Sequence, residues 1–167
     1  MVEKRTEIFI ENWLEKSEVV NLVDEWRFRL GLEVDEINTE KPWGAYWRIS
    51  DRQVGQFIIL FFPSVEDSLA ETKQNLSPKF LLVAPGERLS WQYHNRRMEK
   101  WVVVCGEVGV VTSNNDEENL EIIMGTNDAI DLKEGLRHRL NGKDGWGLVA
   151  EIWVLPIRVV LRTKMIL

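Results

Sequence analysis

The hydrophobic pattern changes period near Gly44. Before it, apolar residues recur at helical spacing. Ile10, Trp13 and Leu14 form one cluster, and Val19, Leu22, Val23, Trp26 and Leu30 form a second. This predicts helix over 6–31, with Ser17 capping the second cluster and Gly31 stopping it. The apolar face is expected to pack on the outside of a sheet. After Gly44 short β-rich runs take over: AYWRIS, GQFIILFFP and KFLLVAP, broken at Asp51-Arg52, Pro63-Ser64 and Ser77-Pro78. EKWVVVCGEVGVVTS reads as one long hairpin element that bends at Gly106. LEIIMG, NDAIDL, GLRHRL and WGLVAEIWVLPI complete the series, set off by a solvated loop at 114–119 and a turn at 142–145. Short strands at regular spacing predict an all-β fold, an antiparallel β-sandwich or barrel with an N-terminal helical segment. The polar stretch 64–77 reads as an insertion, a flap or a short helix.

Composition narrows the class. A chain of 167 residues fits one domain with a real core. No apolar run is long enough to span a bilayer, and MVEKRTEIF lacks the apolar centre of a signal peptide, so a cytoplasmic protein without membrane contact is expected. The single cysteine, Cys105, lies inside a strand and reads as a small buried hydrophobe. A net charge of −6 argues against a nucleic-acid surface, while leaving room for a local cluster of cations that holds an anionic substrate. Most of the eight tryptophans are expected in packing, with one or two near a barrel mouth free to stack on a sugar.

The chemistry concentrates in PGERLSWQYHNRRMEKWVVVCG, residues 85–106. Gln92 and His94 are two apart, so on a strand both face the same way. The run NRRM turns the chain, and Glu99 opens the next strand. Such a hairpin brings a carboxamide oxygen, an imidazole nitrogen and a carboxylate to one point, a donor set that suits a divalent transition metal. The chain has one other histidine, His138 in KEGLRHRLNG, which would close the site. Nitrogen and oxygen ligands leave zinc, iron, manganese and nickel equally open.

These two segments resemble the two motifs of the cupin superfamily, G-x5-H-x-H-x4-E-x6-G and G-x2-H-x2-N, with Gln92 in place of the first histidine. KPWG at Lys41 to Gly44 and PGERLS…Q-x-H…R-x-E-x-W resemble the type II mannose-6-phosphate isomerase branch and the related cupin-type phosphoheptose isomerases. The likeness runs from about Lys41 to Trp153. It implies a cupin jelly-roll barrel over 41–160, a helical extension over 1–40 and an atypical tail over 161–167. It also implies one metal on Gln92, His94, Glu99 and His138, a sugar-phosphate substrate and a possible homodimer.

Cations surround the motifs. Arg88 shares parity with Gln92 and is expected in the cavity; Arg97 matches the arginine of R-x-E-x-W; Lys41 belongs to KPWG and Lys79 opens a preceding strand. Arg88, Arg97 and Lys41 are the expected substrate contacts, because guanidinium and ammonium groups suit phosphate. Alternation turns Arg137 and Arg139 away from His138. An aldose–ketose isomerase must carry a proton between two carbons. Glu99 is one candidate base, Lys79 or Lys100 the other, with Arg88 also expected in the catalytic group. The alternatives are a sugar-phosphate-binding cupin without catalysis and a cupin oxygenase.

The resemblance breaks at two places. Arg96 and Lys100 stand where the family carries histidines, and the family's acidic E-D-D-I-x-R tail is replaced by IRVVLRTKMIL. A one-base shift across Arg162 to Ile166 can be written to read N-E-D-D-I, so this end reads as a frame-shifted form of the family segment.

Overall fold

The computed structural model describes residues 6–65 and 76–155. The tail at 161–167 and most of the inserted stretch 64–77 therefore lie outside the described residues. Two antiparallel sheets face each other. The larger has the order β1 (Val34–Asn38), β2 (Gly44–Ile49), β3 (Leu76–Val83), β9 (Gly147–Val154), β4 (Met98–Cys105) and β7 (Ala129–Leu132). The smaller has the order β6 (Ile122–Met124), β5 (Val108–Ser113) and β8 (Arg137–Gly142). Arg88 and Gln92 bridge to Asn141 and His138, so the segment before β4 runs along β8 as an irregular edge.

The large sheet separates two apolar clusters. Its inner face shares one with the small sheet: Leu81, Trp101, Val103, Val108, Val110, Met124, Leu132, Leu140 and Val149. This is the inside of the barrel. Its outer face carries Ala45, Trp47, Ile49, Phe80, Leu82, Leu148, Ala150 and Ile152, covered by two helices. Burial on both sides explains why β3 and β9 read as nearly continuous apolar runs rather than as alternating ones.

The helices differ from the sequence reading. Helix α1 covers Lys16–Arg29 rather than all of 6–31. It starts directly after the first apolar cluster, where the Glu15 N–H donates to the Glu18 carboxylate (2.9 Å) in a capping box that replaces the expected Ser17 cap. Gly31, at φ 74°, follows the C-cap residue Leu30 as expected. Of the first cluster, Ile10 is buried but Trp13 is 74% exposed. The run GQFIILFF, expected as a strand, forms helix α2 (Val54–Phe61), which turns Val54, Phe57, Ile58 and Phe61 onto the outer face of the sheet. Phe57, Phe61 and Trp26 gather around Phe80 of β3 at ring-centroid distances of 5.1–5.2 Å. β1, inside the expected N-terminal extension, is one of the two edge strands of the large sheet.

β4 and β5 do not form the expected hairpin with each other. β4 pairs with β7 and β9, and β5 with β6 and β8. Gly106 (φ 80°) turns the chain from one sheet to the other, and a Cβ there would meet the Trp146 carbonyl oxygen at 2.1 Å.

Candidate metal centre

Strand register assembles the polar end of the barrel row by row. Across β3, β9, β4 and β7 one inward row is Ser77, Trp153, Glu99 and Leu132. The next, with β2, is Arg48, Lys79, Glu151, Trp101 and Ile130. The third, Tyr46, Leu81, Val149 and Val103, is mostly apolar. Charge is therefore confined to one end of the interior. On the facing sheet His138 points inward, and Gln92 exchanges both backbone hydrogen bonds with it (3.1 and 2.8 Å). Opposed antiparallel residues share a face, so Gln92 is aimed with His138. His94 follows two residues on, held by the Gly135 N–H donating to its carbonyl (2.9 Å).

His94, Glu99 and His138 offer one ligand atom each within 4.8 Å of one another. His94 Nε2 lies 3.0 Å from Glu99 Oε1, and His138 Nε2 lies 3.4 Å from Glu99 Oε2. Glu99 is 1% exposed and His138 2%. His138 Nδ1 is 3.0 Å from the Leu136 carbonyl oxygen, which makes it the protonated nitrogen and leaves Nε2 as the lone-pair atom. Both His138 Nε2 and Glu99 Oε2 are buried without a hydrogen-bond partner. Two orphaned acceptors facing each other in a dry interior repel unless a positive charge lies between them. On the other side of the carboxylate the charge is the Arg97 guanidinium, 3.3 Å from Glu99 Oε1 and 2.9 Å from His94 Nε2. These residues fit a divalent cation on both the donor set and the unmet lone pairs.

Burial alone would push Glu99 up. Contact with His138, then the charge of His94 and contact with Glu151, outweigh it and hold the carboxyl at about 2. Burial also lowers His94, with Arg97 and His138 adding to it against Glu99. Glu151 is pushed up to about 8 by burial and by the neighbouring Glu99 charge.

Residues 58–152, more than half of the chain, match the family described as mannose-6-phosphate isomerase C-terminal. The chain belongs to this family. Its barrel is the cupin jelly roll, as the motifs implied. A variant of oxalate decarboxylase from Bacillus subtilis superposes with a TM-score of 0.51 at 14% identity, over 71% of this chain and 27% of that one. A cupin 2 conserved barrel domain protein from Salinispora arenicola gives a TM-score of 0.42 at 18% identity, over 48% of this chain and 63% of that one. A sugar phosphate isomerase from a cupin superfamily, from Silicibacter pomeroyi, gives 0.42 at 17% identity, over 49% and 52%. This chain spans less than two thirds of each of these proteins. No curated protein sequence matches it.

Within this cupin the expected residues separate into two groups. Arg97 and Lys79 stand at the centre: the Arg97 guanidinium carbon lies 3.4 Å from the Trp153 ring centroid and the Lys79 ammonium 3.1 Å from it. Burial lowers Lys79, and the charges of Arg97 and Arg48 add to this against Glu151 and Glu99. Arg88 is not in the cavity but exposed. Three residues separate Arg88 from Gln92, but two separate their partners His138 and Asn141, so the extra residue reverses the parity and puts Leu89 inside instead. Lys41 precedes Gly44, at the end of β2 remote from the site; from Gly44 to Arg48 is roughly 13 Å at ~3.3 Å per residue. Lys100 points outward to Asp131 (3.0 Å), as its alternation with Glu99 requires. Arg137 and Arg139 face outward, paired with Asp116 and Glu118.

Three site residues escaped the sequence reading: Arg48, Glu151 and Trp153. Glu151 carried a signal, a single acid within the apolar run WGLVAEIWVL. Arg48 and Trp153 carried none, since each is one more residue of a β-rich run.

Proposed function

We propose that this cupin is a metal-dependent aldose–ketose isomerase acting on a sugar phosphate. The observation that carries the reading is the buried Glu99 between two imidazoles, with the Glu99 Oε2 and His138 Nε2 lone pairs unmet, beside a row of cations. His94, Glu99 and His138 would hold the cation, with Gln92 aimed from the His138 face. A divalent ion there supplies electrostatic stabilisation to oxygen as negative charge develops on it. The protein's part is to bind, orient and move a proton. Arg97 lies where it would take the anionic group of the substrate, and the Trp153 ring, stacked against both Arg97 and Lys79, holds the two cations in place. Glu99 meets His94 and Arg97 through Oε1 and leaves Oε2 facing the His138 Nε2 lone pair at 3.4 Å, which suits a ligand. Lys79 makes no ion pair among the described residues, and burial in its row lowers it from its ordinary value, which eases loss of the proton that a base must first give up. It is therefore the proton carrier in this reading.

A second reading is supported by Arg97. Its guanidinium already occupies His94 and Glu99, as expected of a cupin that binds a sugar phosphate without turning it over. One experiment separates the two. The protein is loaded in turn with zinc, manganese, iron(II) and nickel and assayed for isomerisation of mannose, glucose and heptose phosphates. Turnover that EDTA abolishes and Lys79→Met removes supports the isomerase. A thermal shift with these sugars and no turnover under any metal supports the binding protein and refutes the enzyme.

A further inference from the structure

Glu151 has no place in the scheme above, and a packed β-barrel has no use for a carboxyl at that position. It lies at the centre of the row Lys79, Glu151, Trp101 and is 4% exposed. The same strand fills its other inward positions with Val149 and Trp153. Burying a carboxyl in place of an aliphatic group destabilises the fold unless its oxygens are engaged. Glu151 Oε2 is engaged by one donor, the indole N–H of Trp101, at 2.9 Å with both groups buried. Trp101 in turn meets His138 edge to face, with ring centroids 5.5 Å apart and planes at 86°. His138 is held at its far nitrogen by the Leu136 carbonyl. Its ring is thus fixed at Nδ1 and walled by Trp101, and Nε2 is left facing Glu99.

We propose that Glu151 is a positioning residue of the cation site. It grips the Trp101 indole, and the indole sets the orientation in which the His138 imidazole presents Nε2. The inference rests on reading His94, Glu99 and His138 as cation ligands. It adds that the orientation of His138 depends on a carboxyl that reaches this imidazole only through the Trp101 indole. An indole ring turns about two side-chain bonds, and within the packing around Trp101 its N–H contact is the polar interaction that fixes which way the edge faces. Without an acceptor at that point the buried N–H is left unmet, and the ring moves to satisfy it.

Co2+ is the probe, because its d–d absorption reports ligand geometry as well as occupancy. The whole chain, stripped with EDTA and dialysed, is titrated with Co2+ by calorimetry and by visible absorption. Wild type, Glu151→Gln, Glu151→Leu, Trp101→Phe and the Leu/Phe double variant are compared. Loss of an outer-sphere contact of this kind weakens metal binding by about 10- to 100-fold. Glu151→Leu and Trp101→Phe are each expected to weaken Co2+ by about tenfold and to alter the d–d band. The double variant should be no worse than the weaker single one, because both break the same relay. Glu151→Gln should restore the wild-type affinity and band, since its amide oxygen still accepts the indole N–H. The proposal is overturned if Glu151→Leu lowers the melting temperature but keeps the wild-type affinity and band. It is also overturned if the two single effects multiply in the double variant. Should Glu151→Leu fail to fold, Trp101→Phe decides: a wild-type Co2+ affinity and band in that variant overturns the relay. A wild-type protein that takes up no Co2+ overturns both the cation site and the relay, whereas uptake unchanged across the variants overturns the relay alone.

Discussion

The metal-free protein is expected to lose stability as pH rises from 5 to 8, and Glu151→Gln to remove most of that loss. Burial and the adjacent Glu99 charge push the Glu151 carboxyl from its ordinary 4.5 up to about 8. Below pH 4 the group is protonated in both the folded and the unfolded chain, and contributes nothing to the slope. Above it, the unfolded chain releases this proton while the folded protein keeps it, so unfolding gains the free energy of ionisation. Stability falls by about 1.36 kcal/mol for each pH unit until the folded group itself ionises near 8, then levels off. Over that span the loss approaches about 5 kcal/mol, or about 10–20 °C in melting temperature for a domain of this size. Urea unfolding in EDTA at pH 5, 6, 7, 8 and 9 measures it directly. The difference between Glu151→Gln and wild type should grow in favour of the variant up to pH 8 and then stay constant. A difference that is flat across this range would refute the reasoning, because it would mean that Glu151 ionises in the fold at its ordinary pH.

The centre itself titrates in the opposite sense at lower pH. Glu99 is held at about 2, so its contribution is full above its ordinary 4.5 and is lost as pH falls toward 2; Glu99→Gln should remove about 3 kcal/mol of acid sensitivity in urea melts between these limits. A bound cation at a hundred times its dissociation constant should add about 2.7 kcal/mol, read as a melting shift of about 5–10 °C that EDTA reverses and that Glu99→Gln or His138→Ala abolishes. Phe57→Ala should cost about 3–5 kcal/mol in chemical denaturation. It should leave Co2+ affinity unchanged, because Phe57 packs on the outer face of the sheet. Arg88→Ala should leave Co2+ binding within about twofold of wild type, as expected of an exposed surface side chain.

Spacing carried much of the centre. His94 lies five residues before Glu99, and His138 stands in its own glycine-bounded run; the three meet because two-residue alternation decides which side of a strand a residue takes wherever the pairing is regular. The change from helical to strand spacing near Gly44 likewise revealed the class of fold. What alternation cannot express is any event between strands. The single extra residue between Arg88 and Gln92 turned Arg88 outward, and it exists only relative to β8. Gly106 was visible as a bend, but not as the point where the chain leaves one sheet for the other. GQFIILFF is apolar along nearly its whole length and suits a strand buried on both faces as well as a helix; the exposed outer face of the large sheet, which needed a cover, made it helix α2. Glu151 is an acid in an apolar strand, a signal that the sequence carries but the reading passed over, and its partner Trp101 is 50 residues away. A run of sequence specifies which groups share a face. Which groups from distant runs come within hydrogen-bonding reach is set by register and sheet closure, and those follow from packing the whole chain around one interior.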